Sequence, residues 1–80
     1  MKADKEEFKR EFDNAIQESG SDFPRVIVEL KTGERLVATR YRIADFGAIV
    51  FVKLEAEGSD SKKYVSKVLI NSIASIYTYD

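Results

Sequence analysis

The chain has 80 residues, with 13 Lys+Arg against 14 Asp+Glu for a net charge of −1, and no cysteine, histidine or tryptophan. With 44% apolar and 34% charged residues it has the profile of a soluble globular domain. The missing residue types exclude a zinc site built on Cys or His and catalysis by Cys or His, and the charge balance excludes a generally basic nucleic-acid binder. The length allows one domain, 1–80. A chain of this size buries roughly 60–65% of its unfolded surface, so the core is thin and either packs very well or gains burial by oligomerising. No stretch approaches the ~18 apolar residues of a membrane span. Met1-Lys2-Ala3-Asp4 opens a charged segment, not a signal peptide's apolar region. The expectation is a cytoplasmic chain with no membrane segment and no cofactor.

The first regime is helical. Phe8, Phe12, Ala15 and Ile16 recur at the spacing of one helix face. Asp4 followed by Glu7 is an Asp version of the capping-box pattern. Glu6 and Glu7 sit where the helix dipole favours acid, and Gly20 is a natural stop. The pattern predicts an amphipathic helix over about 4–19 with a narrow apolar stripe that must dock on something else. Residues 20–24 read as a linker, in which Pro24 biases Phe23 towards an extended conformation.

From Arg25 the period changes to two. Val26, Val28 and Leu30 share one face, Thr32-Gly33 is a turn, and Glu34 to Ile43 reads as one long strand. Asp45-Phe46-Gly47 is a tight connection. Ala48–Leu54 is a third strand, Ala56 to Lys62 a loop, Tyr64–Ile70 a fourth strand, Asn71-Ser72 a corner, and Ile73–Tyr79 a fifth. One helix before five short strands predicts a mainly β fold, a small, strongly bent antiparallel sheet or barrel of SH3-like type over 25–79. Ile49-Val50-Phe51-Val52 and Val68-Leu69-Ile70 are apolar on successive residues, where an antiparallel sheet normally alternates. Continuous runs imply that both faces are covered, in part by a subunit interface.

Charge is uneven along the chain. Residues 1–22 carry −3, residues 23–54 carry +3 and residues 55–80 carry −1. The basic residues of the middle segment are Arg25, Lys31, Arg35, Arg40, Arg42 and Lys53, densest at Arg40-Tyr41-Arg42. One reading is a phosphate-contacting patch with an aromatic in it. The other is a solvated strand face whose charges discourage edge pairing.

Three further signals carry less. Tyr64, Tyr77 and Tyr79 could stack a base, yet aromatics simply favour strands. Glu55, Glu57 and Asp60 near Gly58 match no known cation loop, and Lys62-Lys63 follow at once. Asp45-Phe46-Gly47 spells a kinase signature, but 80 residues hold no kinase. With no nucleophile paired to a base at recognisable spacing, the chain reads as no enzyme, with no catalytic residue and no metal site.

Leu30-Lys31-Thr32-Gly33 followed by Leu36, Ile43 and Phe46 resembles the first signature of the Sm-like proteins. That signature is a Leu-x-x-Gly turn, a long bent second strand, an aromatic near the next turn and an apolar third strand. Leu69-Ile70-Asn71-Ser72-Ile73-Ala74-Ser75-Ile76 is similar in register to the bacterial, Hfq-type branch, where a short corner joins the last two strands. The resemblance covers residues 5–79. It implies a five-stranded, strongly bent barrel that closes into a homo-oligomeric ring of five to seven copies by pairing the fourth strand of one subunit with the fifth of the next. Val68, Leu69, Ile70, Ile73 and Ile76 then lie at the interface. It also implies single-stranded RNA around the pore, with Phe46 stacking, Asn71 bonding base edges, Arg40 and Arg42 on phosphates, and Asp45 orienting a neighbouring group. The chain departs from the family at Ala44, where Asp is usual, at Ala48, where the archaeal and eukaryotic branch has Asn, and at Ile70-Asn71, where Arg-Gly or Lys-His is usual. The usual charge-assisted contacts at the pore are therefore missing. The alternative from a different class is a homo-oligomeric protein–protein interaction module with an SH3-like barrel that binds no nucleic acid.

Overall fold

The computed structural model describes residues 4–22, 24–57 and 62–78. Helix α1 spans Lys5–Ser19. Asp4 holds extended backbone, and its carboxylate accepts from the Glu6 amide at 2.8 Å. Glu7 does not complete the capping box; its carboxylate takes Arg10 one turn on. Gly20 ends the helix at φ 63°, a left-handed conformation that costs glycine least. Phe8, Phe12 and Ala15 are buried, so the stripe read from the spacing is the one that docks.

Six strands follow: β1 (Val26–Leu30), β2 (Arg35–Ala38), β3 (Arg40–Phe46), β4 (Ile49–Glu57), β5 (Lys63–Leu69) and β6 (Ile73–Thr78). They form two antiparallel three-stranded sheets, β2-β1-β6 and β3-β4-β5. The expected strand over Glu34 to Ile43 is real but divided. Thr39 interrupts it, donating from its amide (2.7 Å) and its hydroxyl (3.1 Å) to the Glu55 carbonyl. The chain thus leaves the first sheet at Ala38 and enters the second at Arg40. This hand-over makes six strands in two sheets, not a closed five-stranded barrel.

Three other boundaries moved. Asp45 and Phe46, expected in a tight connection, end β3 opposite Val50 and Ile49, and the turn is Gly47-Ala48. Ala56 and Glu57, expected in a loop, continue β4 opposite Tyr64 and Lys63. Ile70, expected at the end of the fourth strand, opens a 3-10 corner over Ile70–Ser72, closed by the Ser72 hydroxyl donating to the Leu69 carbonyl at 2.6 Å. The expectations for Met1 to Ala3, Phe23, Gly58, Asp60 and Tyr79 lie outside the described residues.

The core lies between the sheets and under the helix. Phe8, Phe12, Val26, Val28, Ala38, Val52, Leu54 and Ile73 are almost completely buried. Tyr41 meets Phe8 and Phe12 edge-on, with ring centroids 5.0 and 4.7 Å away, geometry worth about 0.5–1.5 kcal/mol per pair beyond area. Burial also holds the Tyr41 phenol above its ordinary pKa, with Asp13 and Glu6 adding to the effect. The helix therefore covers the inner face of β3. The outer face of the second sheet has no cover from its own chain among the described residues: Phe46, Ile49 and Leu69 are 68%, 51% and 45% exposed. The apolar runs of β4 and β5 do not report burial on both faces within one chain. No helix is long and apolar enough to cross a membrane.

Candidate nucleic-acid interface

The register of the second sheet sorts its residues into rows. Tyr41 and Ile43 pack on the core. The alternate residues Arg40, Arg42, Ala44 and Phe46 point to the outer face, since successive side chains of a strand alternate. Across the strands, Arg40 faces Glu55 and then Val65; Arg42 faces Lys53 and then Lys67; Ala44 faces Phe51 and then Leu69; Phe46 faces Ile49.

These rows differ in chemistry. Arg40 Nε lies 3.3 Å from a Glu55 carboxylate oxygen, so its charge is met within the sheet. Arg40 and Glu55 line a shallow cleft with Thr39, Ala56, Glu57 and Lys63. The next row is three cations abreast, and Arg42, Lys53 and Lys67 form no ion pair among the described residues. Lys67 Nζ instead sits 4.4 Å from the centroid of the Phe51 ring, a cation–π contact. Phe46 stands edge-on to Phe51 at 6.3 Å. The outer face therefore offers an aromatic pair with one open ring, bordered by a line of positive charge.

Asp45 faces the other way. Its carboxylate accepts from Lys5 Nζ at 2.7 Å and from the Gly47 amide at 2.9 Å. It thus ties the start of the helix to the Gly47-Ala48 turn, where Gly47 has φ 79°. The Lys5 hydrogen bond, then the Gly47 amide and the Lys5 charge, hold the Asp45 carboxyl below its ordinary value. The same bond and charge raise Lys5. Asp45 orients the turn that carries Phe46 and does not share its face.

Asn71 is exposed on the 3-10 corner. Leu69 stands opposite Phe51, and Phe46 opposite Ile49, so the corner and the Phe46 turn lie at the same end of the second sheet. Arg40 is six residues from Phe46 along β3, roughly 20 Å away at the rise of a strand. Phe46 and Asn71 thus share one end of the sheet, with Asp45 at the same end on the opposite face; Arg42 lies part-way along β3, roughly 13 Å from Phe46, and Arg40 lies farther still. Of the residues expected at a subunit interface, Ile70 and Ile73 are buried in this chain's own core, and Val68 and Ile76 pack against it. Leu69 alone of the five is exposed.

Sequence reasoning missed Phe51 and Lys67 at this surface. Their pairing with Phe46, Arg42 and Lys53 depends on the register between strands, which no local pattern encodes. The one available signal was the outward parity of Phe51 and Lys53 within the apolar run of β4. Among the described residues no group of three or more acidic side chains is placed to hold a metal ion. Comparison with known proteins returns no matching family model, curated protein or solved structure.

Proposed function

We propose that the chain is an Sm-like subunit that assembles head to tail into a ring and binds single-stranded RNA. The observation that carries this reading is the strand order. Through Thr39 the two sheets follow one another as β6-β1-β2 and β3-β4-β5, so β5 and β6 are each hydrogen-bonded on one side only among the described residues. β2 and β3 are edge strands too, but they are joined through Thr39; the open antiparallel edges of β5 and β6, on different strands, suit heterologous pairing, which generates a ring when its rotation closes. Such pairing uses the backbone of β5 and β6 and leaves Ile70 and Ile73 in the core of each subunit. It also accounts for β2 and β3 as one bent strand of a barrel completed by the neighbouring copies.

RNA is supported by the exposed Phe46 ring, the exposed Asn71 at the same end of the sheet, and the guanidinium of Arg42, which has no ion pair among the described residues. Phe46 stacks a base, Asn71 bonds a base edge, and Arg42 takes a phosphate; Arg40 contributes less because Glu55 already meets its charge. The competing reading, an interaction module that binds no nucleic acid, is favoured by the corner, which carries Ile70-Asn71 and no cation, and by the net charge of −1.

Light scattering on a sizing column tests the assembly, and a titration with labelled single-stranded RNA at low salt tests the ligand. The reading expects a particle of five to seven copies of the 9.1 kDa chain that binds RNA. A monomer removes the ring, and an assembled particle that ignores RNA leaves the interaction module.

A further inference from the structure

The row Arg42–Lys53–Lys67 breaks a rule that its neighbours obey. Like charges directly opposite on adjacent strands destabilise a sheet, and opposite charges stabilise it. On one side the rule holds: Arg40 stands opposite Glu55, and beyond that row Glu57 stands opposite Lys63; on the other side the row Ala44–Phe51–Leu69 carries no charge. Next to the Glu55 row, Lys53 is flanked on both sides by a cation, on the central strand of the sheet. No carboxylate of the described residues pairs with any of the three. Only Lys67 finds any internal partner, the Phe51 ring; a local conflict without an internal counter-charge is where a functional demand is expected. What would relieve it is an anion laid across the strands.

The rest of the face narrows the anion. Arg42 and Lys67 are two strand spacings apart, roughly 10 Å, a line of charge and not a point. Phe51 and Phe46 adjoin that line, and the open ring of Phe46 is 68% exposed. A polyanion with flat bases uses both features at once, whereas an acidic peptide satisfies the cations and leaves the Phe46 ring in water.

We infer that the outer face of the second sheet is a track for single-stranded RNA, with phosphates over Arg42, Lys53 and Lys67 and a base stacked on Phe46. The inference rests on the RNA reading above and extends it from the Phe46–Asn71 end onto the open face of β3, β4 and β5.

The test is Lys53→Thr, with anisotropy of a labelled oligouridylate followed against salt and melting followed without RNA. The two readouts should move in opposite directions. Affinity falls severalfold, and the slope of log affinity against log salt loses about 0.7, the share of one phosphate contact on a single strand. The melting temperature rises by about 2–4 °C because the central repulsion is gone. Phe46→Ala should weaken binding by about fivefold or more. If wild type binds and Asn71→Ala loses binding while Lys53→Thr keeps the wild-type affinity and slope, the track is overturned and the RNA reading stands. Weaker binding with a lower melting temperature also overturns it, because Lys53 is then structural. If wild type binds no RNA at low salt but binds polyglutamate or anionic vesicles, the RNA reading fails and the track fails with it.

Discussion

The outer faces of the two sheets solve the same problem differently. In the first sheet Ile27 points outward yet is only 5% exposed, because Val37 and Tyr77 stand directly opposite it on either side. Beside it, the Glu29 carboxylate receives Arg35 Nε at 3.3 Å and the Tyr77 hydroxyl at 3.1 Å. Burial and the Glu29 bond together raise the Tyr77 phenol pKa. The centre of that face is thus met by its own neighbours, while Val37 and Tyr77 beside it stay 42% and 38% exposed. In the second sheet the corresponding positions carry Phe46, Ile49, Phe51 and Leu69 beside three adjacent cations, and nothing among the described residues closes over them. The first sheet buries the apolar centre of its outer face and pairs the charge beside it; the second leaves a phenylalanine ring and a row of cations open.

The two faces of β5 give the largest expected contrast. Val68 packs against the core and Leu69, its neighbour, is exposed on the other side. Val68→Asp should cost about 3 kcal/mol or more, since it places an unpaired charge against apolar side chains. Leu69→Asp should leave folding within about 0.5–1 kcal/mol of wild type. Chemical denaturation reads both, and equal losses would mean that the outer face is covered after all. Leu69→Asp also separates fold from assembly: a change in native mass with an unchanged melting point places Leu69 beside a neighbouring copy.

Reciprocal charge reversals exchange the character of the two faces. Glu29→Lys sets like charges beside Arg35 and removes the acceptor of Tyr77, and should cost about 1–2 kcal/mol. Lys53→Glu puts an acid between Arg42 and Lys67 and should gain about 0.5 kcal/mol. Opposite signs for two reversals at outward-facing strand positions would show that the second face carries an avoidable penalty. The same sign for both would dissolve the comparison.

A smaller effect separates the two arginines of β3. Arg42→Ala should lower the salt slope of RNA binding by about 0.7, the share of one phosphate contact. Arg40→Ala should lower it by less, because Glu55 already meets that guanidinium. Equal slopes in a salt titration of the two variants would show that the Glu55 pair opens when RNA binds.

Much of the fold was legible where its cause is local. Asp4, the spacing of Phe8, Phe12 and Ala15, and Gly20 bound the helix by capping and periodicity alone. Thr32-Gly33 and Gly47 mark turns that need positive φ. What was not legible depends on partners distant in sequence. Nothing in Ala38-Thr39-Arg40 announces a break; it arises because Thr39 bonds the Glu55 carbonyl, sixteen residues on. Ile70 reads as strand and is buried as part of a corner, because the chain must turn over the core there. The site divides in the same way. Arg42, Phe46 and Asn71 could be singled out as exposed types in suggestive places, whereas the cation row required the register of three strands. The resemblance pointed to Asp45 beside Phe46, but adjacent residues of a strand face opposite sides, and the two do different work.

Asp45 supplies the smallest expected effect and the clearest sign. Its carboxyl is held below its ordinary value of 3.8, chiefly by the hydrogen bond from Lys5. A depressed acid contributes stability that is fully present above its unfolded pKa and lost as pH falls through its lower folded value. Lys5, raised above 10.5 by the same bond, contributes below that value and loses its contribution as pH rises through the raised one. The pair therefore supports the fold between these limits and fades outside them. Asp45→Asn keeps an acceptor for the Gly47 amide and removes the charge. Its melting temperature should lie slightly below wild type at pH 7, because both partners are solvated, and the gap should close as pH drops below 3.8. A gap that persists at pH 2 would mean that Asp45 acts through the turn alone. The helix would then be fixed by Phe8 and Phe12 without help from its first residue, and the Phe46 turn would be set independently of the helix.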